Sequence, residues 1–561
     1  MASVTVLVLA APALGAPELK SPPSETKPPV GYELSAKEAI RIASRSETIR
    51  AERKRHRDFR PAAYTRGPGR WQVSWFEGDR EVAQARVDDG FGVVLEAWTG
   101  HQVAWSMARG YEGAFGRKLN APYVWIPLCV LFLVPFLDPR RPFRILHLDL
   151  LVLLAFGASH VYFNRGEIGV SVPLVYPVLL YLLARLLWIG FRPRQRDQPL
   201  IPYVPIAWLG LALVFLVAFR VGLNVVDSNV IDVGLAGVIG ADRITDGEGV
   251  YGAGFDDEIE RGDTYGPVNY LLYVPFEQLL PWSGAWDDLP AAHGAALAFD
   301  LLTLAGLFLL GRRLRPGQAG TSLGIVLAYA WAAYPYAAFA LQTNSNDTLV
   351  GLLTVAALLA LTLAPAKRGL AAAGSAAAVG LGAAAKFAPL ALAPLFATAG
   401  AGPGWRGVAR SAAIFAAVLG AVLAASFLPF LPDGGPREIY DRTVGYQASR
   451  GSPFGIWGQF DGGESWRSVV SVAAAALALA VAFVPRRKQP IQVAALAAAV
   501  LIAVQLATAH WFYLYVVWFA PLAFVALMAG YRTGDSDESA QPEAPVAASP
   551  AVPVPAPAGS P

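Results

Sequence analysis

Residues 220–277 read RVGLNVVDSNVIDVGLAGVIGADRITDGEGVYGAGFDDEIERGDTYGPVNYLLYVPFE, a polar, acidic stretch set between long apolar runs. Asn224, Asp227, Ser228 and Asn229 open it where an apolar run ends, Asp232 and Asp242 follow, and Asp263-Thr264-Tyr265-Gly266-Pro267 comes next. Its carboxylates outnumber its arginines, so it is suited to meet polar or cationic chemistry. A connection this long between apolar runs exceeds the usual length, as functional loops do. Its apolar, aromatic parts, 230–239 and 270–280, are expected to form short helices lying on a membrane surface.

Outward from this loop the chain is apolar. Of its 561 residues 55% are hydrophobic and 16% charged, and it repeats runs of about 18 or more apolar residues, the length of a bilayer-crossing helix. The reading is a polytopic α-helical membrane protein of about thirteen transmembrane helices. A net charge of +3, dispersed along the chain, gives no footprint for nucleic acid. Cys129 is the sole cysteine, which rules out an intramolecular disulfide. The Ala, Gly, Pro and Arg bias matches a GC-rich bacterial genome, and the expected location is a bacterial plasma membrane.

In chain order, 1–16 resembles a signal peptide and 17–34 a linker. Ser35-Ala36-Lys37-Glu38 is a capping box that opens an amphipathic helix, and 71–76, 81–87 and 91–98 alternate as strands do. A small extracytoplasmic α+β domain over 35–118 follows, resembling the PepSY type. Three additional spans occupy 119–199, a transmembrane core 200–530 carries the outer loop 223–290, and 531–561 is a disordered cytoplasmic tail. Clusters at Arg140-Arg141, 192–196, 312–315, Lys367-Arg368, 406–410 and 486–488 fall at alternate connections and so face the cytoplasm. The remaining connections face outward, and the unusual polar residues gather there.

Each candidate has a plain alternative. Asp227, at the end of a span, is placed to accept a proton from a substrate hydroxyl, or merely to cap the next helix. Asp232, five residues on, sits about 140° around a helix from it, which gives a paired metal site little support. No metal site is assigned and no cofactor is named, a divalent metal being left open. Asn344 and Asn346, in the run from Gln342 to Asp347, offer amides to sugar hydroxyls, with helix capping the economical reading of Asp347 by itself. Lys386 has no topological reason to be cationic on the outer side and suits a lipid phosphate, against a snorkelling lysine. Arg442 and Gln459 lie in a loop suited to a phosphate and a sugar ring, or to an interfacial anchor. His510 heads an aromatic outer turn, where histidine is more often structural. Asp300, inside a span, is expected to be neutral or paired.

Together, the acid at the end of a span, Tyr265-Gly266-Pro267, Asn344 to Asp347, Lys386-Phe387-Ala388-Pro389 and the aromatic turn at His510 resemble the GT-C membrane glycosyltransferases over 201–530. Within these the likeness is to the actinobacterial polyprenyl-phosphate-mannose-dependent mannosyltransferases, the GT87 family. The chain departs from the pattern in its N-terminal domain, its three extra spans and the lack of an acid pair at Asp227. The resemblance implies inverting transfer of a hexose or pentose from a polyprenyl-phosphate donor to a lipid or glycan acceptor. Asp227 is then the base and His510 its helper, Lys386 and Arg442 hold the donor phosphate, and Asp232, Asp263, Tyr265, Asn344, Asn346 and Gln459 contact substrate. A transporter and a non-catalytic scaffold displaying the N-terminal domain are the rival classes.

Overall fold

The computed structural model describes residues 19–110, 115–252, 255, 261–284, 289–363, 365–460 and 462–533. The expected signal segment, and the tail beyond Thr533, lie outside them.

Strands β1 (Leu19–Lys20), β2 (Arg60–Arg66), β3 (Arg70–Glu77), β4 (Arg80–Asp88) and β5 (Val93–Thr99) form an antiparallel meander in sequence order. Trp71, Val73 and Trp75 alternate onto one face, where Ala39 and Ala43 of the helix Ala36–Ala43 complete a dry core. The Ser35 side chain accepts from the Glu38 N–H, and the Glu38 carboxylate from the Ser35 N–H, two helix-end donors satisfied reciprocally. The Asp89 carboxylate accepts from Trp71 Nε1 at 2.8 Å and from the Glu33 and Leu34 amides, fastening the linker to the sheet. The sequence reading had no strand at β2, whose Pro61-Ala62-Ala63 is weak strand former. Cross-strand pairing with β3 carries it.

Among the described residues seven helices are long and apolar enough to cross a membrane: Ile145–Asn164, Ile168–Phe191, Ile206–Val226, Pro290–Leu314, Arg368–Lys386, Gly404–Phe430 and Gly463–Phe483. The chain is a polytopic membrane protein. The pair Gly317–Ala333 and Pro335–Gln342 adds one more if counted as a single span bent by 58°, the bend falling where Pro335 supplies no N–H to the preceding turn. Five further apolar helices, such as Thr348–Leu361 and Pro490–Leu506, are 10–17 residues long. At about 1.5 Å per residue they fall short of a hydrocarbon core of ~30 Å. By length and composition the described residues thus give seven or eight spans, against about thirteen expected from the apolar runs.

Ion pairs tie the helices together. Arg220 Nη2 donates to Asp300 Oδ1 at 2.5 Å, Trp331 Nε1 donates to the same oxygen at 2.9 Å, and Arg220 Nη1 reaches the Trp331 carbonyl. Asp300 is therefore paired, as a buried carboxylate must be. Between the helices Ile145–Asn164 and Ile168–Phe191, Arg185 Nε bridges both Asp149 oxygens, with Tyr181 on Oδ1.

The acidic loop folds back onto the bundle. Its helix Asp232–Thr245 is almost wholly buried on the bundle side. Gly234, Gly237 and Gly240 let it lie against the Asn344 carbonyl and the rings of Tyr273 and Tyr270, where a Cβ would come within 2.5, 2.7 and 2.2 Å. Helices do form where they were expected, at 230–239 and 270–280, as Asp232–Thr245, Pro267–Leu271 and Val274–Leu279, the first packed against the bundle.

Candidate functional site

Where the loop meets the ends of the membrane helices, the protein encloses a cavity of about 580 Å³. Its polar end is lined by Asp232, Thr264, Tyr265, Asp347, Lys386 and Arg450, with His510 nearby on the wall. Ala388, Ala391, Ala474, Ala475, Ala478 and Val504 supply apolar lining. Met107 and Phe115, in the segment after the N-terminal sheet, also line it.

Lys386 is the last residue of the helix Arg368–Lys386, and Phe387 turns the chain away with φ +31, a conformation costly for a residue with a bulky side chain. The ammonium lies 2.6 Å from Asp347 Oδ1, 5.3 Å from the Tyr265 ring centre and 5.7 Å from that of Trp518. Trp518 Nε1 donates to the same Asp347 oxygen at 2.8 Å, and Ser345 Oγ donates to the other. Tyr265 reaches Lys386 because Gly266 presses on the helix end, its N–H 3.1 Å from the Ala385 carbonyl. A Cβ on Gly266 would stand 2.0 Å from the Ala384 oxygen. Lys386 is 9% exposed and engaged, so it is not a lysine snorkelling into headgroups.

Asp232 opens its helix at the first turn and accepts from the Val233 N–H at 2.9 Å. The carboxylate is open to the cavity yet ringed by protein. Burial raises its pKa above the ordinary carboxylate value, and the Asp347 charge adds to this. The Val233 N–H, Arg450 and Lys386 act in the other direction. Arg450 stacks 5.0 Å over Trp105 and 5.9 Å over Tyr446, and its Nε is buried without a hydrogen-bond partner among the described residues. Arg467, also on the wall, is held by Glu464 through Nε at 2.9 Å to both oxygens. Burial, with Arg450 nearby, pulls His510 down to about 3. It is a neutral imidazole whose Nδ1 meets Ser452 Oγ at 2.8 Å, with Phe454 and Trp105 against the ring.

The cavity brings together Asp232, Tyr265, Lys386 and His510 of the residues singled out from the sequence, and leaves six others outside its lining. Asp227 ends the helix Ile206–Val226 and turns towards the N-terminal segment, with its Oδ2 3.3 Å from the Lys118 amide and 3.8 Å from Nζ. Arg442 is bound to Asp263 at 2.7 Å and to Glu438 at 3.0 Å, so neither Arg442 nor Asp263 faces the cavity. Asn344 and Asn346 are fully buried. Asn344 has φ +50, accepts from Asn224 Nδ2 and donates to Ser228 Oγ and the Asn229 carbonyl. Asn346 donates to Asn269 Oδ1. These amides bind the break after the bent helix pair to the acidic loop. Gln459 donates to the Ile168 and Pro453 carbonyls and is a loop tie.

The sequence reading did not assign Asp347, Arg450, Tyr515 or Trp518 to the site. For Arg450 the signal was the one used for Lys386, a cation in an outer connection with no topological reason to be there. Among the described residues no three His, Cys, Asp or Glu side chains converge as metal ligands.

No protein-family model matches the chain, and neither does any curated protein. Among solved structures, the chain is similar to ArnT from Cupriavidus metallidurans bound to undecaprenyl phosphate. Identity is 14% over 58% of this chain, at a TM-score of 0.40, and the match spans 60% of that chain.

Proposed function

We propose that the chain is a GT-C-type membrane glycosyltransferase that moves a hexose or pentose from a polyprenyl-phosphate donor to a hydroxyl of a lipid or glycan acceptor, with inversion. The reading rests on one observation. A single cavity holds a carboxylate with a raised pKa, the cations Lys386, Arg450 and Arg467, and alanine-rich apolar lining, all at one end of the membrane helices. An ionised Asp232 takes the acceptor proton while the acceptor oxygen forms its bond to the anomeric carbon. The carbon–oxygen bond to phosphate breaks, and polyprenyl phosphate leaves with the electron pair. Arg450 and Lys386 meet its charge at the moment it grows, the arrangement that favours a transition state over a ground state. The alanine-lined part of the wall accommodates the start of the lipid chain. His510, neutral and tied to Ser452, shapes the wall and does not move a proton in this scheme.

A transporter needs exposed polar groups within its spans, and Asp300 and Asp149 are both locked in ion pairs. The test is release of polyprenyl phosphate by the purified chain in vesicles, given a panel of polyprenyl-phosphate hexoses and pentoses with an acceptor extract. Release that depends on the acceptor and disappears in Asp232→Asn supports the reading. A folded wild type that neither binds nor turns over any donor defeats it. We assign the cavity-bearing end to the outer side, the N-terminal domain with it, and the tail to the cytoplasm, because the arginine clusters lie at the opposite connections.

A further inference from the structure

A second cavity, of about 660 Å³, lies at the far end of the bundle, where the helix Ile145–Asn164 begins and Ile168–Phe191 ends. Arg144, Arg185, Arg194 and Arg196 line it, and no carboxylate does. Arg185 is committed to Asp149. The other three have no carboxylate partner within salt-bridge distance among the described residues. Arg144 is 6% exposed, stacks 4.4 Å over Tyr531, gives one N–H to the Pro199 carbonyl, and keeps Nε and Nη1 without a hydrogen-bond partner among the described residues. Arg196 lies 5.0 Å over the same ring. The rule that places arginines at the inner membrane face asks for cations in water and does not explain one buried beside an open cavity. Beside Gln198 and Tyr181 the remaining walls are apolar and open outward, with Phe143 99%, Leu148 49% and Trp188 51% exposed. The N-terminal residue of a 20-residue helix, Ile145, lines the same cavity, and the positive end of a helix also favours an anion.

We propose that this cavity binds the phosphate of an anionic membrane lipid, with its acyl chains against Leu148 and Trp188. Arginine suits phosphate because its donors are fixed in a fork, and basic pockets between membrane helices on the inner side recognise such headgroups. The bound lipid joins the first pair of spans to the end of the core, because Tyr531 sits beneath Arg144 and Arg196 while its strand pairs with Arg196–Pro199. This site does not depend on the reaction assigned to the other end.

The experiment counts lipids retained by the purified full chain in native mass spectrometry after exposure to phosphatidylglycerol or phosphatidylcholine. The wild type is expected to keep one phosphatidylglycerol in preference to phosphatidylcholine, undisplaced by millimolar inorganic phosphate. Arg194→Gln with Arg196→Gln is expected to weaken retention about fivefold per arginine, roughly thirtyfold in all, with unchanged melting in phosphatidylcholine. Arg144→Gln serves as a second variant, read by lipid retention among molecules that remain folded. Equal retention of both lipids by the wild type overturns the proposal, and so does undiminished phosphatidylglycerol retention by the double variant. Displacement by inorganic phosphate overturns it in favour of a free-anion site. Selectivity that appears only after removal of 534–561 overturns it in favour of the acidic residues of that segment as occupant.

Discussion

Replacing Asp232 by asparagine separates catalysis from structure, because the side chain has one structural contact and that contact survives. The carboxylate accepts from the Val233 N–H at 2.9 Å, and an amide oxygen of the same shape accepts it too. What is lost is a negative charge in the first turn of a 14-residue helix, worth about 0.3–1 kcal/mol. Offsetting this, a carboxylate whose pKa is raised by burial is destabilising when ionised. An acid with a raised folded-state pKa loses stability as pH climbs through its unfolded value, and asparagine escapes that loss. Melting at neutral pH should therefore change by about 1 kcal/mol or less.

Removal of a general base costs about a hundred- to ten-thousandfold in rate, or ~2.7–5.5 kcal/mol of barrier. Donor turnover by wild type, Asp232→Asn and Asp227→Asn in the same vesicles reads the difference, with Asp227→Asn expected within about threefold of wild type. The acid limb of kcat/KM should lie above the ordinary carboxylate value of about 3.9, since Asp232 must be ionised to act. It should move higher still in Arg450→Gln, which removes a charge that favours ionisation. An Asp232→Asn enzyme keeping a third of its activity, or an equal loss in Asp227→Asn, refutes the assignment.

Arg450→Gln should raise KM for the donor roughly ten- to a hundredfold, the value of a charge-assisted contact to phosphate, measured by donor titration; Arg442→Gln, on a side chain spent on Asp263 and Glu438, should leave KM unchanged. Lys386→Met strands the buried Asp347 carboxylate and should destabilise by about 3–5 kcal/mol; Lys386→Met with Asp347→Leu should recover part of that in thermal melting, with no recovery of activity. Acid destabilisation should begin below about pH 6.5 and continue towards about 3 through His510, whose depressed pKa makes protonation favour the unfolded state; His510→Gln should flatten that part of the melting profile. In a Cys129→Ser background, a cysteine at Glu248 should react with an impermeant thiol reagent in intact cells and one at Gln318 should not, both positions being exposed.

Fold class was legible because apolar length and the spacing of arginine clusters are one-dimensional signals. Depth was not. The amides of Asn344 and Asn346 read as sugar ligands on an outer connection, but the bend before Pro335 carries that connection inside the bundle, where buried amides must find partners and become ties. Asp227 and Asp232 are five residues apart in one polar run. Which of them faces the cavity depends on the helix Ile206–Val226 ending at Val226 and a new helix starting at Asp232, and boundaries set by capping are the least legible feature of a sequence. Lys386 was legible as an anomaly, its Asp347 partner 39 residues away was not.

The cavity is assembled from segments with little local preference to meet, so its integrity rests on a few close approaches. Gly266 is one: it admits the Ala384 carbonyl where a Cβ could not fit, and so sets Tyr265 over the Lys386 ammonium. The N-terminal segment supplies another. Gly110, at φ +56, leaves no room for a Cβ above Gly166, while Gln102 Nε2 donates to the Gly166 carbonyl. Arg109 ties the same segment back to Gln84 of β4. Met107 and Phe115 are thereby carried into the cavity wall, and Trp105 is held between Arg450 and His510. A domain that only displayed itself on the membrane surface would have no reason to contribute cavity lining or to stack on the unpaired cation. If the cavity takes the acceptor as proposed, this placement makes the segment part of its wall, and changes at Met107 or Phe115 should alter acceptor choice while leaving donor affinity at Arg450 and Lys386 in place.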